Sequence, residues 1–363
     1  MEGTPVKECF RRIRTLVVDD TAFMRRALVE ILSQDEEIEV VGVAKHGVEA
    51  IEAIGLLEPD VVTLDVDMPV MDGLTAIKHI MIRSPRPVII ISGLANQGSI
   101  TLEALRLGAV DFFPKPSGTI SLDIHQQAKE LSEVVKQAAR IRPSAIRRVR
   151  LSHREAFAHA RRHADSPLGL VIIVAPTGAS GHLIRLLANT RADLPIAIVA
   201  IQNISAQVLE SYSVQLDSKV SWSLVSGEDR MLTPGTFILA TFKDICALER
   251  SSEALRVKDE PPNGDIDRLM AQAADIMGPL CLAAAIGETS DQVMKGLTKI
   301  KKAGGTSLRM EQGAYARGAP SSSLQSASAY EPVASEHELW SRIETFGRGI
   351  LLNAAADYTN IKR

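Results

Sequence analysis

Val-Val-Asp-Asp at residues 17–20 and Leu-Asp-Val-Asp-Met-Pro at residues 64–69 are apolar runs that break off in closely spaced acids. Around them, short β-rich runs at 15–18, 38–43, 61–64, 88–92 and 110–113 alternate with helical stretches beginning near Thr21, Gly47, Gly73 and Ser99. Five such βα units predict a doubly wound parallel sheet. In a sheet of that kind the functional crevice lies beyond the carboxyl ends of the strands. Asp19, Asp20, Asp65, Ser92 and Lys115 all fall at predicted strand ends, so one site assembled from four strands is expected.

Asp19 and Asp20 end the first run and Asp65 the third, which brings three carboxylates to one sheet edge. Their repulsion calls for a hard divalent cation, and Mg²⁺ fits best because it takes oxygen ligands, keeps waters and bridges to phosphate. Asp65 is then the natural nucleophile toward a phosphoryl donor. Ser92 could donate its hydroxyl to a phosphoryl oxygen, and Lys115 could neutralise its charge. Pro116 predicts a tight turn, with a cis bond as one option, that aims Lys115 inward. Asp67 lies two residues past Asp65, on the same side of an extended chain. It reads either as a further carboxylate on the metal side, tuning the phosphorylated lifetime, or as a solvent-facing acid. Ordinary loop acids would explain one pair, but not five residues at four strand ends.

The chain has 363 residues, enough for two domains with their own cores. It is 45% hydrophobic but only 4% aromatic, the balance of Ala-rich helices packed on parallel strands. A net charge of −3 argues against a chain committed to nucleic acid or an anionic membrane. Cys9, Cys246 and Cys281 have no paired spacing, so neither a zinc site nor a disulfide framework is indicated. No apolar run reaches about 18 residues, the scale needed to span a bilayer, and a cytoplasmic location without membrane insertion is expected.

The first α/β domain is expected over 13–118 and a linker over 119–167, helical at Gln126–Arg140. From Arg140 to Asp165 the linker carries eight arginines and two acids. A solvated linker, or one docked on an acidic rim, explains this better than nucleic-acid binding, since no base-reading motif accompanies it. A second α/β domain is expected over 168–350. Its apolar runs lie at 169–175, 196–201, 236–240 and 280–286, and its helices near 180–190, 205–217, 265–277 and 291–303. Ser321–Ser328 reads as a loop and Glu336–Phe346 as a last helix. The fold class is therefore α/β, two doubly wound parallel sheets joined by a helical linker.

Residues 13–118 resemble the receiver domain of two-component response regulators, which implies a flavodoxin-like sheet. The resemblance implies that Asp65 accepts phosphate from a histidine kinase and that Asp19 and Asp20 hold Mg²⁺ with the Val66 backbone. It also makes Ser92 and Phe112 the switch pair, with Phe112 standing where many receivers have tyrosine. The chain as a whole resembles the CheB family, phosphorylation-regulated protein-glutamate methylesterases and deamidases of chemotaxis receptors with a Rossmann-like second domain. The segments that carry this are Val-Ala-Pro-Thr-Gly (174–178), Ile-Gln-Asn (201–203), Thr-Pro-Gly-Thr-Phe-Ile-Leu-Ala (233–240), Asp-Ile-Asp-Arg-Leu-Met (265–270) and Gly-Leu-Thr-Lys-Ile (296–300).

That family places a Ser, a His and an Asp where Pro176, Asn203 and Gln292 correspond in this sequence. Acyl transfer needs an activated hydroxyl, a base for its proton and a group that orients the base. Proline cannot attack, asparagine cannot take a proton near neutrality, and glutamine has no charge to stabilise an imidazolium. Glu288 and Asp291 would further oppose a developing oxyanion. Ser180 is the neighbouring candidate nucleophile, although a helix-cap or first-turn role suits it better, and His182, two residues on, would not face it. The expectation is a switch on Asp65 whose second domain acts by binding, with chemoreceptors, adaptor proteins or a kinase array as candidate partners. The alternative is an active methylesterase or deamidase with a rearranged site.

Overall fold

The computed structural model describes residues 11–93, 97–115, 122–143, 146, 168–176, 178–188, 190, 192–202, 206–226, 230–242, 245–250, 254–259, 265–287, 290–310 and 329–361. Pro116, most of the Arg-rich stretch, Asn203, Glu288 and Ser321–Ser328 lie outside these residues.

The first sheet contains β1 (Ile13–Val18), β2 (Ile38–Ala44), β3 (Val61–Asp65), β4 (Val88–Ser92) and β5 (Asp111–Pro114), in the order β2-β1-β3-β4-β5. Every pairing in it is parallel. Leu16, Val17, Val18, Val61, Val62, Leu64, Ile89, Ile90 and Ile91 are all fully buried, the continuous apolar reading of a sheet covered on both faces. The chain between and after these strands forms α1 (Ala22–Leu32), α2 (Gly47–Leu57), α3 (Gly73–Arg83), α4 (Gln97–Leu107) and α5 (Leu122–Ala139).

The helix α5 follows the expected boundary at 118 and packs on the first sheet. Leu131, Val135 and Ala138 recur at i, i+4 and i+7 and are buried where α5 packs on α1 and on β3, β4 and β5. Lys136 adds ion pairs to Glu133 at 3.0 Å and to Asp35 at 2.9 Å. The helix expected as the first half of the linker thus falls in the compact unit that joins Met1–Gly93 with Leu107–Ile146.

Asp72 starts α3 by accepting the Thr75 N–H at 2.8 Å. The next residue, Gly73, donates its N–H to Val66 O at 2.9 Å. A Cβ on Gly73 would lie 2.1 Å from Asp65 O and 2.9 Å from Val66 Cα, both backbone atoms that cannot swing away. Gly73→Ala is therefore expected to push the end of β3 outward and cost about 1–3 kcal/mol in urea unfolding. An unchanged midpoint would show that the contact is relieved elsewhere.

The second sheet runs β15-β14-β13-β6-β7-β10-β8. Its strands are β6 (Gly169–Ala175), β7 (Ile196–Gln202), β8 (Ser223–Leu224), β10 (Thr236–Thr241), β13 (Cys281–Ile286), β14 (Thr306–Met310) and β15 (Glu331–Val333), again all parallel. A separate antiparallel sheet holds β9 (Arg230–Leu232), β11 (Cys246–Arg250) and β12 (Leu255–Asp259). The helices are α6 (Ser180–Ala188), α7 (Ala206–Asp217), α8 (Ile266–Met277), α9 (Asp291–Lys302) and α10 (Glu336–Ile361). Leu170, Ile172 and Val174 of β6 share a core with Leu269, Met270 and Ala273 of α8 and with Leu297 and Ile300 of α9. Strand side chains alternate between faces, so the equally buried Val171 and Ile173 turn to the opposite helical layer. The last helix extends well past the expected Phe346.

Candidate functional site

Parallel strands deliver their ends to one edge. In the first sheet that edge carries Asp19 and Asp20 after β1, Asp65 closing β3, Ser92 closing β4 and Lys115 after β5. Asp19, Asp20 and Asp65 each offer a carboxylate oxygen within 4.8 Å of the others; Asp19 and Asp65 are buried and Asp20 is exposed. Lys115 Nζ reaches Asp65 Oδ2 at 2.7 Å and Asp19 Oδ2 at 2.9 Å. Its backbone N–H donates to Ser92 O at 2.8 Å, which ties the lysine to the neighbouring strand end. Ser92 and Phe112 are both buried, at 2% and 4% exposure. Asp67 is exposed and is not one of the three clustered acids.

Two supports were not visible in the sequence. Arg25, on the first turns of α1, donates to the backbone carbonyls of Asp19 at 2.6 Å and Asp20 at 2.8 Å, which fixes the acid pair. Asp65 Oδ1 accepts the Val66 N–H at 2.8 Å, and Asp19 Oδ1 accepts the Thr21 N–H at 2.8 Å. Both buried carboxylates are therefore held at fixed positions.

Burial pushes the Asp65 carboxyl above the usual carboxylate range, with Asp19 adding to the rise and Lys115 and the Val66 N–H offsetting part of it. Burial works against the charge of Lys115, but its bonds to Asp65 and Asp19 outweigh that and hold its ammonium above the ordinary lysine value. Three ionised carboxylates and one ammonium leave an excess of two negative charges at the edge. An all-oxygen donor set with that excess fits a hard divalent cation, held by Asp19, Asp20 and Asp65.

Protons and metal compete for the same carboxylates. Scanning calorimetry is expected to show stabilisation by Mg²⁺ at neutral pH, about 2.7 kcal/mol at a hundred times the dissociation constant. The gain should shrink as pH falls, beginning above the ordinary aspartate range because the Asp65 pKa is raised. A gain independent of pH down to that range would remove Asp65 from the ligand set.

The second edge is built differently. Pro176 follows β6 directly, Gln202 closes β7 immediately before Asn203, and α9 begins at Asp291 shortly after β13. Strands β13, β6 and β7 are neighbours, so the three positions expected to correspond to a Ser, a His and an Asp follow three adjacent strands. Pro176 is half-buried and its carbonyl accepts the Ala179 N–H at 2.9 Å. Gly178, at φ 84°, makes the turn that lets the chain enter α6. Gln292 and Asp291 are exposed in the first turn of α9, whose start is capped by Ser290. Ser180 opens α6 and is buried at 2% exposure.

His182 has a distant partner. Its Nδ1 faces the Glu336 carboxylate at the start of α10, and Arg185 Nε lies 3.0 and 2.9 Å from the two Glu336 oxygens. No local signal in the sequence links residues 151 positions apart.

Comparison with known proteins gives two family matches. Residues 15–125 match the response regulator receiver domain, and residues 171–343 match CheB methylesterase. A protein-glutamate methylesterase/protein-glutamine glutaminase of Caldanaerobacter subterraneus subsp. tengcongensis is 38% identical over 257 residues, 68% of this chain and 70% of that protein. A second protein of that name from Carboxydothermus hydrogenoformans is 33% identical over 338 residues, 88% of this chain and 95% of its own length. The crystal structure of the response regulator domain of Thermotoga maritima CheB is similar at 51% identity, covering 36% of this chain and 97% of that domain with a TM-score of 0.33.

Proposed function

Since the chain belongs to the CheB methylesterase family, with a response-regulator receiver ahead of the methylesterase domain, we propose that it is a phosphorylation-controlled regulator in chemotaxis-type signalling that accepts phosphate on Asp65. The cluster of Asp19, Asp20 and Asp65 with Lys115 bonded to Asp65 is the observation that carries this. Mg²⁺ bound there would offset the negative charge of the acids and the incoming phosphate. Asp65 Oδ2 would attack the phosphorus of the donor phosphohistidine, whose P–N bond would break as the new P–O bond forms and whose imidazole would depart, with Lys115 free to move from the carboxylate to a phosphoryl oxygen. Ser92, which closes β4, and Phe112, within the neighbouring strand β5, are both buried and are the residues through which the change would pass to the surface. The donor proposed is a histidine kinase.

The second domain is proposed to act by binding, with chemoreceptors or their adaptors as partners, because Pro176, Asn203 and Gln292 supply no nucleophile, base or orienting acid. A second reading is favoured by the names of the relatives, each a protein-glutamate methylesterase/protein-glutamine glutaminase. On that reading a rearranged site hydrolyses the ester or amide, and the comparisons support it more directly than they support binding alone. The pairing of His182 Nδ1 with the Glu336 carboxylate supplies an oriented imidazole for it.

Phosphoryl uptake from acetyl phosphate, with and without Mg²⁺, tests the switch. Methanol release from methylated receptor tests the output.

A further inference from the structure

The outer side of α9 carries an ordered row of charges. Asp291, Lys295, Lys299 and Lys302 recur at i, i+4, i+8 and i+11, which places them on one side of the helix, and all four are exposed. The opposite side is buried through Val293, Gly296, Leu297 and Ile300, so the row points to solvent. From Lys295 to Lys302 it covers about 10 Å at the rise of an α-helix. Lys299 Nζ holds the Asp267 carboxylate of α8 at 2.8 Å and keeps further N–H donors. Among the described residues, Lys295 and Lys302 have no ion-pair partner. Lysines at the carboxyl end of a helix complement its dipole, which accounts for Lys299 and Lys302 in the last turn. It does not account for Lys295, which lies in the amino-terminal half.

We infer that this row is a docking surface for an acidic α-helix of a partner protein, lying antiparallel to α9. The inference rests on the reading that the second domain acts by binding, and it supplies the surface. Run antiparallel, the partner helix presents acids at i, i+3 and i+7 to Lys302, Lys299 and Lys295, and a base at i+11 to Asp291. That direction also puts the partner's acids toward its own amino end and its base toward its carboxyl end, where the helix dipole favours each. A lipid surface or a nucleic acid fits less well. None of the exposed residues of α9 is apolar, so nothing is offered for insertion among lipid tails. The helix has no aromatic side chain to stack on a base, and Asp291 at one end of the row repels a uniform polyanion.

Fluorescence anisotropy on the full chain tests this with two labelled, alanine-based helical peptides. One bears Glu at i, i+3 and i+7 and Arg at i+11; the other has the same composition with its charges scattered around the helix. Exposed ion pairs are individually weak, so affinity depends on the whole row, and the patterned peptide is expected to bind about fivefold or more tightly than the scattered one at low salt. Its affinity should fall about tenfold when the salt is raised to about 0.5 M. Lys295→Glu combined with Lys302→Glu, both at exposed positions, should weaken the patterned peptide about tenfold. A third peptide with Lys at i and i+7 should restore binding to that variant and not to the parent. Equal affinity for the patterned and scattered peptides, binding of neither, tighter binding of a single-stranded oligonucleotide or of phosphatidylglycerol vesicles, or loss without recovery by the third peptide overturns the inference. The ranking of the first two peptides on the parent decides the matter if the variant does not fold. Methanol turnover would count against binding as the output and leave this ranking as it stands, whereas equal peptide affinities would remove α9 as the surface and leave that assay untouched.

Discussion

Asp65→Asn is expected to lose Mg²⁺-dependent phosphoryl uptake from acetyl phosphate by about three orders of magnitude or more, the scale seen when a nucleophile is removed. The amide oxygen is uncharged and a poor nucleophile, and the substitution also removes one of the three clustered carboxylates. Intact-mass measurement after a timed exposure reads the result directly, and a label that persists on the variant would place the acceptor elsewhere. Loss through unfolding is distinguishable. The raised Asp65 pKa means that the stability linked to this group is fully present below the ordinary aspartate value and is lost as pH rises through the folded-state value. At neutral pH without metal the buried carboxylate is therefore a liability, and Asn should leave the thermal midpoint unchanged or higher. Lys115 keeps Asp19 as its partner at 2.9 Å, so the variant does not strand a buried ammonium.

The same site shows how far sequence alone could reach. Asp19, Asp20 and Asp65 were legible because each directly follows or ends a run such as Leu16–Val18 or Val61–Leu64 that must be buried, and parallel strands bring such ends together. Arg25 was not, since its role is to hold two backbone carbonyls and any polar residue of a helix face could have stood there. The helix α5 read as linker because its apolar face is narrow and its partners in β3 to β5 lie elsewhere in the sequence. Strands β11 and β12 gave no sequence signal for a similar reason: Cys-Ala-Leu-Glu-Arg and Leu-Arg-Val-Lys-Asp gain their meaning only when paired antiparallel with each other. In the second domain the strand ends were legible but the contacts of Glu336 were not, because Arg185 lies 151 positions before it and His182 further still, which leaves no local pattern.

Methanol release from methylated receptor is expected to be absent from the parent chain, phosphorylated or not, and Pro176→Ser alone is expected to restore less than tenfold over background. Members of a nucleophile, base and acid set act as a unit, so supplying one of three gains little while completing the set gains orders of magnitude. The triple change Pro176→Ser, Asn203→His and Gln292→Asp is the smallest one that supplies all three groups, and a gain of about a hundredfold or more over the single variant is expected from it. Serine can keep the Pro176 carbonyl that accepts the Ala179 N–H, so the entry to α6 survives the first change. Rescue by Pro176→Ser alone would mean that the base is not missing. His182, held by Glu336 with Arg185 on the same carboxylate, would then be the group to test. Turnover by the parent that disappears in Ser180→Ala would establish the rearranged esterase directly. Methanol release unaffected by either Ser180→Ala or His182→Gln would place the chemistry on other residues of the second domain.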